Sequence, residues 1–105
     1  MIEIHLYGKL RRFAKDSSPV RESVIRIESQ PDETVESLLT RVGISIDEVY
    51  TIFYNSRLLS THFKGALMME FPQVNSNPFD WDLNIPIKAG DRIGLFGRDM
   101  ASLIV

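Results

Sequence analysis

The sequence predicts a single α+β domain in which one helix packs on a β-sheet. The chain has 105 residues, the usual size of one domain with one core. Hydrophobic residues make up 44% and charged residues 25%, which disfavours disorder and a coiled coil. Apolar residues alternate with period two in several short runs, and helical spacing follows in one segment only. The predicted order is therefore β-β-α-β, an irregular stretch, then β.

The first two predicted strands form a hairpin. Residues 2–7 alternate, with Ile2, Ile4 and Leu6 on one face and His5 on the other. Residues 22–28 alternate again, and the turn residues that follow them end the second strand. The short basic segment between the strands is expected to form a loop or a single helical turn.

The one predicted helix begins near Thr34. Four apolar side chains then recur at positions i, i+3, i+4 and i+7: Val35, Leu38, Leu39 and Val42. Either Thr34 or Asp32 can accept hydrogen bonds from the first-turn N–H groups. Gly43 suits the end of the helix, because glycine readily adopts the left-handed backbone conformation there.

The second half of the chain is less regular. Residues 50–54 are rich in β-forming side chains and predict a third strand, which ends at a tight turn at residues 55–56. Residues 60–84 show little periodicity and are expected to be irregular. Residues 92–96 alternate towards a core-facing strand, and residues 102–105 offer a further apolar run.

Composition also narrows the possible functions. Twelve Lys and Arg against 14 Asp and Glu give a net charge of −2, whereas sequence-independent nucleic-acid binding needs a basic surplus. The chain has no cysteine, so it has neither disulfides nor a thiolate nucleophile, and a reducing compartment is favoured. There is no signal segment and no apolar run of the roughly 20 residues that cross a bilayer. We therefore expect a cytoplasmic protein that binds neither nucleic acid nor membranes.

Residues that would carry enzyme chemistry are sparse. His5 and His62 are the only histidines, and no metal-ligand spacing involves them. Asp80 and Asp82 flank Trp81 in a turn-rich segment, where solvated carboxylates are the expected outcome. No phosphate-binding or esterase motif occurs. The sequence therefore predicts a protein that is not an enzyme and has no metal site or cofactor.

Four segments together resemble the MoaD/ThiS family of small sulfur carriers. They are YGKLRRFA at residues 7–14, ETVESLL at 33–39, YNSRLL at 54–59 and IKAGDRIGLF at 87–96. The resemblance implies the ubiquitin-like β-grasp fold, with a mixed sheet packed on one main helix. Residues 60–86 then form an insertion before the last strands, and residues 97–105 form an atypical C-terminal extension.

The C-terminus departs from that family. Family members that act as carriers end in a mobile Gly-Gly tail, whose terminal carboxylate is adenylated and then converted to a thiocarboxylate. This sequence ends instead in β-branched Ile104 and Val105, whose side chains are stiff. We therefore expect a non-catalytic protein-binding subunit or adaptor. The alternative is a sulfur carrier for molybdopterin, tungstopterin or thiamine synthesis, which would need trimming or an atypical terminus.

Two groups of residues are predicted to bind partners. The first spans the last strand and the tail: Phe96, Gly97, Arg98, Leu103, Ile104 and Val105. Its expected partner is an adenylating-enzyme-like or synthase-like protein, or a second copy that pairs through an edge strand. The second group is Phe79 with Trp81, which would line a pocket under the irregular loop. That pocket keeps open a further alternative, a small-molecule-binding domain.

Overall fold

The computed structural model describes residues 1–14, 23–64, 72–74 and 77–99. Within them lie β1 (Ile2–Tyr7), β2 (Val24–Ile27), α1 (Val35–Val42), β3 (Val49–Tyr54), β4 (Arg57–Thr61) and β5 (Arg92–Gly97). The strands form one sheet in the order β2-β1-β5-β3-β4. β1 and β5 are parallel, and the other neighbours are antiparallel. The prediction of an α+β domain with a mixed sheet is confirmed.

The first hairpin follows the predicted alternation. Ile2, Ile4 and Leu6 are buried against the core, whereas the residues between them are half-buried on the opposite face. After β1 the chain turns at Gly8, whose φ of 66° favours glycine, and forms a short 3₁₀ helix over Gly8–Phe13. This matches the expected single helical turn. β2 is shorter than predicted.

Helix α1 begins and ends where the sequence predicts. The Thr34 side chain accepts from the Ser37 N–H at 3.1 Å, and the Thr34 N–H donates to Ser37 Oγ at 2.8 Å. This reciprocal pair is a capping box and makes Thr34, rather than Asp32, the N-cap. Gly43 ends the helix in the left-handed conformation, with a φ of 81°.

A segment of the predicted insertion completes the start of α1. The Val35 N–H donates to the Ile85 carbonyl at 3.0 Å. The Glu36 N–H donates to the Leu83 carbonyl at 3.0 Å. Because helical N–H groups of the first turn have no partner within the helix, these bonds satisfy groups that would otherwise need water. Leu83 and Ile87 are buried in the core, so residues 83–87 add packing as well as hydrogen bonds.

Strand β4 is the element that alternation does not predict. Asn55 and Ser56 form the expected tight turn, and both have positive φ, at 49° and 68°. β4 then runs to Thr61, within the range expected to be irregular. Four of its five residues are buried, so both faces are covered and apolar and polar positions do not alternate.

The core lies between one face of the sheet and α1. Its fully buried members come from β1, α1, β3, β4 and β5, and include Ile4, Leu38, Ile52, Leu59 and Leu95. In the described part of the chain, α1 is the longest helix, and no helix has the length and apolar character needed to cross a membrane.

Candidate functional site

The face of the sheet that points away from α1 carries a group of aromatic side chains. On β1 and β5, the register places Tyr7 beside Phe96 and His5 beside Gly94. The antiparallel pairing of β3 with β5 places Phe53 beside Gly94. Since side chains alternate across a strand, these residues share the face opposite the core. We call the surface formed by Tyr7, Phe53, Gly94 and Phe96 the aromatic cleft.

The rings of the aromatic cleft contact each other closely. Tyr7 and Phe96 stack with ring centroids 4.5 Å apart and planes 15° apart. Phe53 meets Phe96 at 5.7 Å in a tilted arrangement. A Cβ at Gly94 would lie 3.6 Å from Phe53 Cβ and 3.8 Å from a Tyr7 ring carbon, in ordinary van der Waals contact, so a larger side chain there would meet both residues. The cleft has a volume of about 390 Å³, within the range of ligand-binding clefts.

Polar groups surround the cleft. His5, Ser56 and Arg92 complete its lining. His5 Nε2 lies 3.0 Å from Glu3 Oε1, and Arg26 Nε donates to Glu3 Oε2 at 3.4 Å. The hydrogen bond with His5, aided by the charge of Arg26, lowers the pKa of Glu3. The Glu3 carboxylate therefore already has two partners, His5 and Arg26.

Arg92 is the cation at the rim, and it lies beside Glu3 in the register of β1 and β5. Its backbone N–H donates to Asn55 Oδ1 at 2.8 Å, which fixes the start of β5. Across the described ranges, its guanidinium forms no ion pair with a carboxylate. An exposed cation thus stands beside an apolar cleft, which favours a partner that brings an apolar side chain together with a carboxylate.

The predicted partner-binding residues at the end of β5 are tied to the body of the domain. Phe96 is only 4% exposed and serves as the floor of the aromatic cleft. A Cβ at Gly97 would lie 2.7 Å from Asp99 Oδ1 and 3.4 Å from Leu10 Cγ, so a side chain there would force a shift. Arg98 is exposed, and its Nε donates to the Asp47 carbonyl. Gly97 and Arg98 are therefore parts of a docked turn.

Asp99 completes that turn by accepting the Lys9 N–H at 3.0 Å. Leu103, Ile104 and Val105, and with them the predicted apolar run at residues 102–105, lie outside the described residues. Their role in partner binding stays a prediction.

Of the two residues of the predicted loop pocket, Trp81 lines a groove in the described part of the chain. Phe79 is 38% exposed and is not part of that groove's lining, so a pocket shared by the two residues stays a prediction. Trp81 stacks on His62, with centroids 4.4 Å apart, and lines a groove of about 630 Å³. Burial, with a smaller contribution from the charge of Arg98, lowers the pKa of His62. The other residues of this groove are Glu36, Leu39, Thr40, Gly43, Ile44, Ser45, Ile46 and Leu83.

Trp81 also has an unusual polar atom. Its Nε1 is buried and has no hydrogen-bond partner in the described part of the chain. A buried donor without a partner costs about 1–3 kcal/mol. Trp81, which lines this groove, thus has an indole N–H without a hydrogen-bond partner among the described residues.

Asp91 is a buried carboxylate whose role is structural. It is 4% exposed and accepts from the Tyr54 hydroxyl at 2.6 Å and from Asn55 Nδ2 at 3.1 Å. The Lys88 N–H donates to it at 3.0 Å. These bonds fasten the turn before β5 to the end of β3. No group of three or more His, Cys, Asp or Glu side chains that could hold a metal ion occurs in the described segments.

Comparisons with protein-family models, with curated proteins and with solved structures each give no match. The resemblance to MoaD/ThiS proteins therefore stays a prediction, which rests on the four sequence segments.

Most of the aromatic cleft could not be predicted from the sequence. Period-two alternation placed His5 opposite the core face of β1, and Tyr7 shares its parity. Nothing local indicated that β1 and β5 are parallel neighbours, however, or that Phe53 faces Gly94. The only signal was a glycine inside the last predicted strand, because such a glycine often marks a close approach.

Proposed function

We propose that this chain is a ubiquitin-like β-grasp domain that acts as a non-catalytic protein-binding subunit or adaptor. The strand order supports the fold: β1 and β5 lie parallel at the centre, and α1 connects one half of the sheet to the other. The four MoaD/ThiS-like segments support the same assignment. Because function depends on a site rather than on a fold, the proposed activity rests on the aromatic cleft.

The observation that carries this function is an apolar cleft beside an exposed arginine, Arg92, that forms no ion pair among the described residues. Aromatic side chains and arginine are enriched at the energetic centres of protein interfaces. Tyr7 is half-buried, so its ring is in part available to a partner. Gly94 adds no side chain of its own to the lining of the cleft. The partner we propose presents a protruding apolar side chain next to a carboxylate, which would pair with Arg92.

The docked turn at the end of β5 supports an adaptor more than a sulfur carrier. A carrier needs a mobile, unobstructed end that enters a partner's active site. Here Gly97 is buried, and the two residues after it are hydrogen-bonded to neighbouring segments. Intact mass spectrometry of the protein from its native cell tests this point. A truncated chain, or one in which sulfur has replaced an oxygen, would support the sulfur-carrier function instead of the adaptor function.

Variants in the cleft test the adaptor proposal. Gly94→Leu adds a larger side chain that would meet Phe53 and Tyr7, and Arg92→Glu reverses the rim charge. Asn84→Leu is the matched control, because it adds a leucine to an exposed position in the segment packed on α1. We expect affinity capture from native cells to recover a stoichiometric protein with the parent and the control, and to lose it with both cleft variants.

Reconstitution makes this test quantitative. The captured protein, purified and titrated calorimetrically, should bind Gly94→Leu and Arg92→Glu at least about tenfold more weakly than the parent. Circular dichroism shows whether the variants keep their fold. A partner that binds all four proteins equally would exclude the cleft as the interface.

The Trp81 groove favours a second candidate, a small-molecule-binding domain. The groove is lined largely by apolar side chains with a few polar groups, as is usual for ligand sites. Trp81 contributes its aromatic ring to this lining. Trp81 is the only tryptophan, so quenching of its fluorescence by small apolar carboxylic acids or amides tests this candidate directly. Quenching that persists in Thr40→Phe, which would place a ring in the groove without adding a second tryptophan, would argue against it.

A further inference from the structure

The outer edge of β2 presents a regular set of backbone groups. In the β1–β2 register Ile25 lies opposite Ile4, and the Leu6 N–H donates to the Ser23 carbonyl at 2.9 Å. Odd-numbered residues of β2 therefore bond to β1. Since backbone groups alternate in direction along a strand, the N–H and C=O of Val24 and Arg26 point away from β1.

These outward groups have no partner among the described residues. The backbone bonds found for this part of the sheet all join β2 to β1 or β1 to β5, as when the Glu3 N–H donates to the Asp91 carbonyl at 3.1 Å. The next outward carbonyl, that of Glu28, accepts from Arg41 Nη2 at 2.7 Å. The available edge thus consists of two donors and two acceptors, on Val24 and Arg26.

We propose that the β2 strands of two copies of this chain pair antiparallel about a two-fold axis at Ile25. This register places Val24 of each copy opposite Arg26 of the other. Each such pair exchanges two hydrogen bonds, so all four outward groups of both strands are used. The two sheets then form one continuous sheet across the axis.

Other registers of the two β2 strands pair fewer of the outward backbone groups or place like charges opposite each other. An axis at Arg26 would place two guanidinium groups directly opposite each other, which is unfavourable. It would also need the Glu28 carbonyl, which Arg41 already occupies. An axis at Val24 would form only one pair from the described residues. Even-numbered and odd-numbered residues cannot be opposed, because that would place a core-facing residue against an outward-facing one.

A second copy is a better occupant than a flexible peptide. The β2 strand of a second copy is already held extended by β1, so pairing does not require a disordered segment to become ordered. The axis also brings Ile25 of both copies together on the core-facing side, where each packs only partly against its own core. Pairing would bury that remaining apolar surface.

Sedimentation velocity of the full chain over a roughly hundredfold concentration range tests the proposal. We expect a weak dimer whose fraction rises with concentration. Val24→Pro removes an outward N–H without touching a bond to β1, and proline is tolerated on such an edge. It should weaken dimerisation at least about tenfold. Val24→Thr keeps the N–H and the branched shape, and should dimerise like the parent.

The absence of cysteine allows a direct test of the register. Val24→Cys and Arg26→Cys are made as separate proteins, mixed and oxidised mildly. With the axis at Ile25, the two cysteines face each other across the interface, at a distance that a disulfide can span. The mixed disulfide should then exceed either symmetrical one. A parent that stays monomeric at every concentration, or a Val24→Pro dimer as stable as the parent's, would overturn the proposal.

Discussion

The two edge strands of the sheet, β4 and β2, differ in whether their outward backbone groups are paired. At β4 the Leu58 N–H donates to the Pro72 carbonyl at 2.7 Å, and the Val74 N–H donates to the Leu58 carbonyl at 2.9 Å. The loop that follows β4 therefore pairs with its outer edge. At β2, by contrast, the outward groups of Val24 and Arg26 have no partner within the described ranges.

This difference shows where association can occur. An unpaired edge strand is a template for another strand, and proteins usually protect it with a loop, a proline or a charge. At β4 the segment at residues 72–74 provides both a loop and a proline, Pro72. At β2 the one charge belongs to Arg26, which is bonded to Glu3 on the outer face of the sheet. The closed edge is therefore expected to contribute stability, and the open one to contribute contacts with other chains.

The largest expected effect contrasts two adjacent residues of β2. Ile25→Pro removes an N–H that bonds to β1 and part of an apolar side chain that packs on the core, and should destabilise the domain by at least about 3 kcal/mol. Val24→Pro removes an N–H that points outward and should cost about 1 kcal/mol or less in the monomer. Urea denaturation at low protein concentration measures both values. Equal losses would show that our assignment of inward and outward groups is wrong.

A smaller loss is expected beneath the covered edge. Leu58 is fully buried and packs with Phe53 and Phe63 on the outer side of the sheet. Leu58→Ala should destabilise the domain by about 2–5 kcal/mol, because it leaves a cavity between the sheet and the residues that cover it. Arg57→Ala changes an exposed neighbour in the same strand and should have little effect. Thermal unfolding of both variants provides the comparison.

The turn before β5, at the centre of the sheet, should make the stability of the domain depend on pH. Burial alone would raise the pKa of Asp91, but hydrogen bonds from Tyr54, the Lys88 N–H and Asn55 outweigh it and lower the pKa. The carboxylate therefore contributes stability that is present above its ordinary pKa of 3.8 and is lost as the pH falls below it. Asp91→Asn should lower the free energy of unfolding near neutral pH and reduce its decline at acid pH. Urea titrations at several pH values measure both effects.

The same cluster should also act at alkaline pH. Burial, together with the hydrogen bond to Asp91 and its charge, raises the pKa of Tyr54 from 10.0 to about 12. The neutral hydroxyl thus contributes stability that is complete below pH 10 and is lost as the pH rises towards about 12. Tyr54→Phe should remove this alkaline decline. A decline that persists in the variant would place its origin in another group.

The smallest effect concerns the cover of β4. Val74→Pro removes one hydrogen bond to Leu58 and should cost about 0.5–1.5 kcal/mol. It should also increase self-association, because it uncovers part of the second edge. Val74→Ala keeps the N–H and serves as the control for lost side-chain packing. Sedimentation of a Val24→Pro background, in which the β2 edge is already blocked, isolates the contribution of β4.

Much of the fold could be predicted because local rules determine it. The spacing of four apolar residues, the Thr34 cap and the Gly43 terminus gave α1 its position, and alternation gave β1. β4 could not be predicted in this way, because a strand covered on both faces does not alternate. The partner-binding prediction named Phe96 and stays a prediction, and the sequence could not show that Phe96 is buried in the lining of a cleft.

The sequence by itself determined the elements whose signals lie within a few residues of one another. These are the helix with its two caps, the alternating strands and the turn at residues 55–56, each fixed by side-chain spacing or by backbone conformation. The tertiary structure decided which strands are neighbours, and so it alone created the aromatic cleft and the open edge of β2. The physical reason is that cleft and edge depend on pairings between distant segments. Their register follows from packing over the whole core, not from local preference.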